Sequence, residues 1–99
     1  MNVILHPEVR IEYHESIQFY ESREPGLGLR FKDEVDVYMN LVSSDPLRFR
    51  ERKSGYRRAN LSVFPHYIAY LVRDDLIWVV AIAHGRRKPE FWIDRTEGI

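Results

Sequence analysis

The most apolar stretch of the chain, residues 76–83 (LIWVVAIA), runs directly into His84-Gly85-Arg86-Arg87-Lys88, followed by Phe91, Trp92 and Arg95. Histidine exchanges protons near neutral pH and can act as acid or base. Arginine grips phosphate or carboxylate with two prongs, but its very high pKa makes it a poor base. Tyr67, Phe91 and Trp92 offer flat faces on which a nucleobase could stack. These types suit RNA cleavage by 2′-hydroxyl attack. That reaction needs a base at the hydroxyl, an acid at the leaving oxygen and cations for the charge developing on the phosphate. For that chemistry the candidates are His84, Arg87, Arg58 and His66. The same residues suit a docking surface with no chemistry of its own. The target- or phosphate-binding set is then Arg57, Arg58, Tyr67, His84, Arg86, Arg87 and Trp92. An ordinary solvated strand end is the third reading.

Other chemistry has less support. The four histidines (His6, His14, His66, His84) lack metal-site spacing and the chain has no cysteine, so neither a metal nor a cofactor is expected. No phosphate loop, dinucleotide fingerprint or serine elbow is present. The glycines of Gly26-Leu27-Gly28 read instead as a turn between helices.

The elements that must position these residues can be read from periodicity. Asn2–Leu5 is a short apolar segment suited to an edge strand. His6-Pro7-Glu8 is a helix start, with proline preorganised for the first turn and Glu8 and Glu12 near the positive end of the dipole. Val9, Tyr13, Ile17 and Tyr20 form one helical stripe; Leu27, Phe31, Val35, Tyr38 and Val42 form a second. Tyr13, Phe19, Tyr20, Phe31 and Tyr38 are expected in the core. Ser43-Ser44-Asp45-Pro46 ends the second helix. The period then switches to two: Ala59, Leu61 and Val63 alternate with Arg58, Asn60 and Ser62. Phe64-Pro65-His66 is a bend. YIAYLV is a strand, Asp74-Asp75 a turn, and LIWVVAIA a strand with both faces covered. Residues 48–55 are an edge strand or a loop. The expected fold is α+β, in the order β-α-α-β-β-β, with a small, mostly antiparallel sheet and a helical hairpin packed on one face.

A two-residue turn at Asp74-Asp75 puts Arg73 opposite Leu76. Extended without interruption, that register sets Tyr67 against Ile82 and His66 against Ala83. His66, Tyr67, His84, Arg86 and Arg87 then converge on one sheet end. Arg57 and Arg58 are expected nearer Arg73, at the other end.

Ninety-nine residues fit one domain spanning 1–99. The eight-residue apolar run is far short of the roughly 20 that cross a bilayer, and the N-terminus does not resemble a signal peptide. A cytoplasmic protein with no membrane partner is expected. Net charge is zero, but its distribution is uneven. Residues 1–47 carry nine acids against four bases, and residues 48–99 carry eleven bases against six acids. One acidic and one basic face would follow, the basic one attracting nucleic acid or an acidic protein.

Four stretches together resemble the RelE/ParE superfamily of toxins from bacterial type II toxin–antitoxin modules, and most closely its ParE-like, plasmid stabilisation branch. They are PEVRIEYHESIQFYE, GLGLRFKDEVD, DPLRFRERKSGYRRANLSVFPHYIAYLV and LIWVVAIAHGRRKPEFW. The His-x-Arg-Arg-x-Pro-x-x-Trp tail is the most specific of them. The resemblance covers almost the whole chain. It implies a growth-inhibiting toxin held inactive, in a hetero-oligomer, by a cognate antitoxin. It also implies one of two targets: DNA gyrase for ParE-like members, or ribosome-bound mRNA for RelE-like nucleases. In the RelE-like pattern, cations on the second and third strands and after the last strand accompany a C-terminal tyrosine. Arg58 and Arg87 match. The third-strand cation falls near Tyr67, and the tyrosine falls near Trp92 or Ile93. These departures favour the ParE-like, target-binding reading. A ribosome-dependent endoribonuclease and an inactive toxin homologue are the alternatives. An exposed sheet edge could accept an added antitoxin strand, and a groove beside the helices an antitoxin helix.

Overall fold

In the computed structural model, which describes residues 1–99, the chain forms β1 (Asn2–Leu5), α1 (Pro7–Arg23), α2 (Leu27–Ser44), β2 (Arg57–Asn60), β3 (His66–Arg73) and β4 (Leu76–His84). A short 3-10 helix, Ile93–Thr96, follows. The order β-α-α-β-β-β is the expected one. No helix is long and apolar enough to cross a membrane.

Local chemistry sets the helix ends. Pro7 opens α1, and the His6 side chain caps it by accepting from the Glu8 amide through Nδ1 (3.1 Å). The turn into α2 places Gly26 at a φ of 88°, a left-handed conformation that glycine adopts without penalty. No Gly26 side chain exists to cap α2. The Glu21 carboxylate replaces it, accepting from the amides of Gly26 (3.0 Å) and Gly28 (3.1 Å). Gly28 lies where the helices approach closely: a Cβ there would stand 2.6 Å from the Ile17 carbonyl oxygen.

The sheet order is β1-β4-β3-β2. β3 runs antiparallel to both β2 and β4, while β1 runs parallel to β4. The sheet is therefore mixed, not mostly antiparallel. Two successive strand reversals leave β4 pointing the same way as β2, and β1 pairs with its free side in that direction. Residues 45–56 are a connecting loop with one isolated bridge, Glu51 to Arg57.

The β3–β4 register begins as expected, with Arg73 opposite Leu76 and Asp74 and Asp75 both at positive φ, as a tight hairpin turn requires. It does not continue. Tyr70 faces Val79, but Ala69 faces Ala81, so Val80 is an extra residue. Beyond this bulge every pair shifts by one: Tyr67 faces Ala83, not Ile82, and His66 faces His84, not Ala83.

Both sheet faces are covered. On one side Val9, Phe31, Val35 and Val42 from the helices pack on Ala59, Ile68, Tyr70, Ile77, Val79 and Ile82. On the other, Tyr56, Tyr67, Ala69, Leu71, Val80, Ala81 and Ala83 lie under the C-terminal segment, led by Trp92. The bulge explains why LIWVVAIA shows no alternation: Val80 and Ala81 both belong to the second layer. Two side chains depart from expectation. Phe19 is 50% exposed because it sits beside the helical stripe rather than on it, and Val63 is 71% exposed because β2 ends at Asn60.

Candidate functional site

Because side chains alternate along a strand, the expected cluster divides between the two faces. His66 and His84 face the helices, and their rings meet edge to face with centroids 5.1 Å apart. His66 also packs against Phe31 (4.8 Å) and Tyr20 (5.7 Å) and is only 7% exposed. Its Nδ1 is buried without a hydrogen-bond partner. Burial, reinforced by the neighbouring His84, pushes its pKa down to about 4, so the ring is neutral at pH 7. His84 Nδ1 accepts from the Arg86 amide (3.0 Å), which places the proton of its neutral ring on Nε2. Both rings border an open cavity of about 300 Å³ with Glu15, Ser16 and Tyr20.

Tyr67 lies on the opposite face. It is buried, and its hydroxyl accepts from the Trp92 indole N–H (2.9 Å). Trp92 is 1% exposed and packs edge-on against Tyr56 (4.6 Å). Neither ring is open for base stacking, because the C-terminal segment uses both to seal the second core. Phe91 is partly exposed, with the Arg87 guanidinium 3.6 Å above its ring.

The two β2 arginines separate in the same way. Arg57 shares the helix-facing side with Ala59 and donates to the Phe49 carbonyl (2.6 Å), fixing the loop before β2. Arg58 does not stay near Arg73. Its guanidinium lies 3.8 Å above the Tyr67 ring, and its Nε donates to Asn60 Oδ1 (2.8 Å). Asn60, two residues on and so on the same face, was not among the expected site residues; the i, i+2 spacing from Arg58 was its only signal in the sequence. Gly85 lies between the two faces, its amide donating to the Pro65 carbonyl (2.8 Å). Arg86 and Arg87 are exposed beyond it. The structure thus pairs His66 with His84 and stacks Arg58 on Tyr67. The imidazoles and Arg58 approach one end of the sheet from opposite faces.

A second feature missed in the sequence closes the outer edge of β4 beyond β1. Arg95 donates to the Val80 carbonyl (2.9 Å), Glu12 Oε1 accepts from the Ile82 amide (3.2 Å), and the two side chains form an ion pair at 2.9 Å. Side chains here take the hydrogen bonds that another strand would make, which blunts an edge open to pairing. No three of His, Asp and Glu converge as a metal site would require.

The family model described as ParE toxin of type II toxin–antitoxin system, parDE, matches residues 3–89. The chain belongs to the ParE toxin family. Among solved structures, the chromosomal ParDE toxin–antitoxin system from P. aeruginosa is similar, with a TM-score of 0.74 at 14% identity, covering 85% of this chain and 95% of that one. At that identity the likeness is one of fold. No curated protein matches the chain. Apart from Asn2, the elements from β1 to the end of β4 lie inside the matched span; the segment that covers the second sheet face lies mostly beyond it.

Proposed function

We propose that this ParE-family chain is the toxin component of a type II toxin–antitoxin module. It acts in the cytoplasm as a single domain, inhibits growth by binding a protein target such as DNA gyrase, and is neutralised by a cognate antitoxin in a hetero-oligomer. The observation that carries this reading is the family match over residues 3–89. The site geometry supports a binding role over catalysis. His66 is walled in by aromatic rings with its Nδ1 buried, Tyr67 is engaged by Trp92, and Arg58 is the one cation lining the cavity that it shares with His66. A ribonuclease would need an acid or base and its phosphate-gripping cations around one phosphate.

The antitoxin has a suitable surface. A depression of about 380 Å³ between the helices and the sheet is lined by Leu5, Val9, Tyr13, Val35, Met39 and Ile82, with Arg10, His14 and Asp36 at its polar side. It suits the apolar face of an amphipathic antitoxin helix. Glu12 and Arg95 close the outer edge of β4 beyond β1, and an added strand would pair with an edge strand, β1 or the part of β2 beyond the Glu51–Arg57 bridge. Induction in a bacterial host tests the reading. Growth arrest that is relieved by co-expressing a cognate antitoxin is expected. Unimpeded growth would point to an inactive homologue, and cut transcripts in primer extension to the nuclease.

A further inference from the structure

Arg58 is held unusually well for a cation without a carboxylate partner. Its Nε is fixed on Asn60 Oδ1 at 2.8 Å and its plane lies against the Tyr67 ring at 3.8 Å. Tyr67 is itself anchored by Trp92. Neither terminal nitrogen of Arg58 hydrogen-bonds to the protein, and Arg58 takes part in neither of the two ion pairs, Lys32–Asp36 and Arg95–Glu12. An arginine whose side-chain entropy is already spent, and whose outer nitrogens are free, is prepared to bind an anion.

Those nitrogens border a cavity of about 210 Å³ formed by Arg58, Asn60, Pro65, His66 and Gly85 with two apolar neighbours. No aspartate or glutamate lines it. The carboxylate that reaches this loop, Glu34, is engaged elsewhere, accepting from the amides of Val63 (3.1 Å) and Phe64 (3.1 Å). Gly85 forms part of the wall, close enough that a Cβ there would stand in ordinary contact, 3.9 Å, with an Arg58 terminal nitrogen.

We propose that this pocket receives the carboxylate of an aspartate or glutamate side chain on a peptide partner, gripped by both terminal nitrogens of Arg58. The inference rests on the antitoxin reading for the source of the peptide. Charge selects carboxylate over phosphate. One guanidinium balances one carboxylate, and His66, neutral at pH 7, adds no second positive charge for a phosphate dianion. The pocket lies at the end of β2, an edge strand whose outer side is bridged by Glu51 only at Arg57, so a peptide laid along Arg58–Asn60 would carry an acidic side chain to Arg58.

The test uses the purified full chain, labelled with 15N, and three probes: a capped Gly-Glu-Gly tripeptide, its Gly-Gln-Gly counterpart, and inorganic phosphate. Saturable shifts of the Arg58 Nε–H and Gly85 amide signals are expected with the glutamate peptide, absent with the glutamine peptide, and lost in Arg58→Gln. Comparing the two peptides on the unaltered chain does not depend on the variant folding. Equal shifts from both peptides, shifts that persist in Arg58→Gln, or phosphate binding tenfold more tightly than the glutamate peptide would each overturn the proposal. With the cognate antitoxin as ligand, Arg58→Gln should weaken binding at least tenfold. Equal binding to both forms overturns the pocket's role and leaves the antitoxin reading standing. No binding to either form removes the antitoxin reading, and the tripeptides then decide the pocket alone.

Discussion

His66 faces His84 across the β3–β4 ladder because Val80 bulges out of it, and the two rings meet 5.1 Å apart against Phe31 and Tyr20. Without the bulge His66 would pair with Ala83. One extra residue therefore turns two separate histidines into a ring pair beneath the helical hairpin, His66 buried and His84 partly exposed.

That placement makes stability depend on pH. His66 has a folded pKa near 4 against an ordinary 6.5, so between those values the unfolded chain binds more protons than the folded one. The contribution is fully present above pH 6.5 and is lost as pH falls toward 4, with an upper limit of about 3 kcal/mol. Urea unfolding from pH 8 to pH 4 should show this decline, and His66→Leu should flatten it. A variant with the parent's pH slope would show that other groups govern it.

Gly28→Ala tests the helix crossing. In an open helix this exchange stabilises by about 1 kcal/mol. Here the new Cβ would meet the Ile17 carbonyl oxygen at 2.6 Å and the Glu21 Cβ at 2.9 Å, and the Glu21 cap would shift as well. A net loss of about 1–3 kcal/mol is expected from urea melts. A gain would mean that the helices separate freely.

The Glu12–Arg95 clamp should behave as a coupled unit. Both side chains are mostly buried, and each also bonds to β4. Removing either alone strands its partner, at a cost of about 3 kcal/mol, and a double-mutant cycle should return a coupling of about 1–3 kcal/mol. Arg95→Ala should also raise concentration-dependent aggregation, read by light scattering, because the β4 edge opens. Additive effects with unchanged solubility would reduce the clamp to a surface contact.

Trp92→Ala should cost about 3–5 kcal/mol, the range for emptying a large buried site. It also releases the Tyr67 hydroxyl from its donor. Thermal melts and the loss of a blue-shifted emission component measure both consequences. A nearly unchanged melting point would contradict burial of this ring.

The sequence was legible where one local rule acts alone. Val9-Tyr13-Ile17-Tyr20 and Phe31-Val35-Val42 mark two helical faces, and Asp74-Asp75 marks the hairpin turn; all take the expected places. It misled where tertiary contacts decide. A bulge has no pattern within a strand that is buried on both faces, so Val80 was invisible and every pair beyond it was shifted by one. Trp92 resembles a surface aromatic because its neighbours in sequence are charged, yet the C-terminal segment folds it over Tyr56 and Tyr67. Arg58 was misplaced for a simpler reason: strand arithmetic locates a Cα, and a long side chain lying along Tyr67 carries its charge elsewhere.

The most direct test of the central claim is a supercoiling and cleavage assay with purified gyrase, plasmid DNA and this protein. Inhibited supercoiling with trapped, linearised plasmid is the predicted result, abolished when a cognate antitoxin is added first. Unimpaired supercoiling with no cleaved plasmid, at toxin in excess over gyrase, would contradict it.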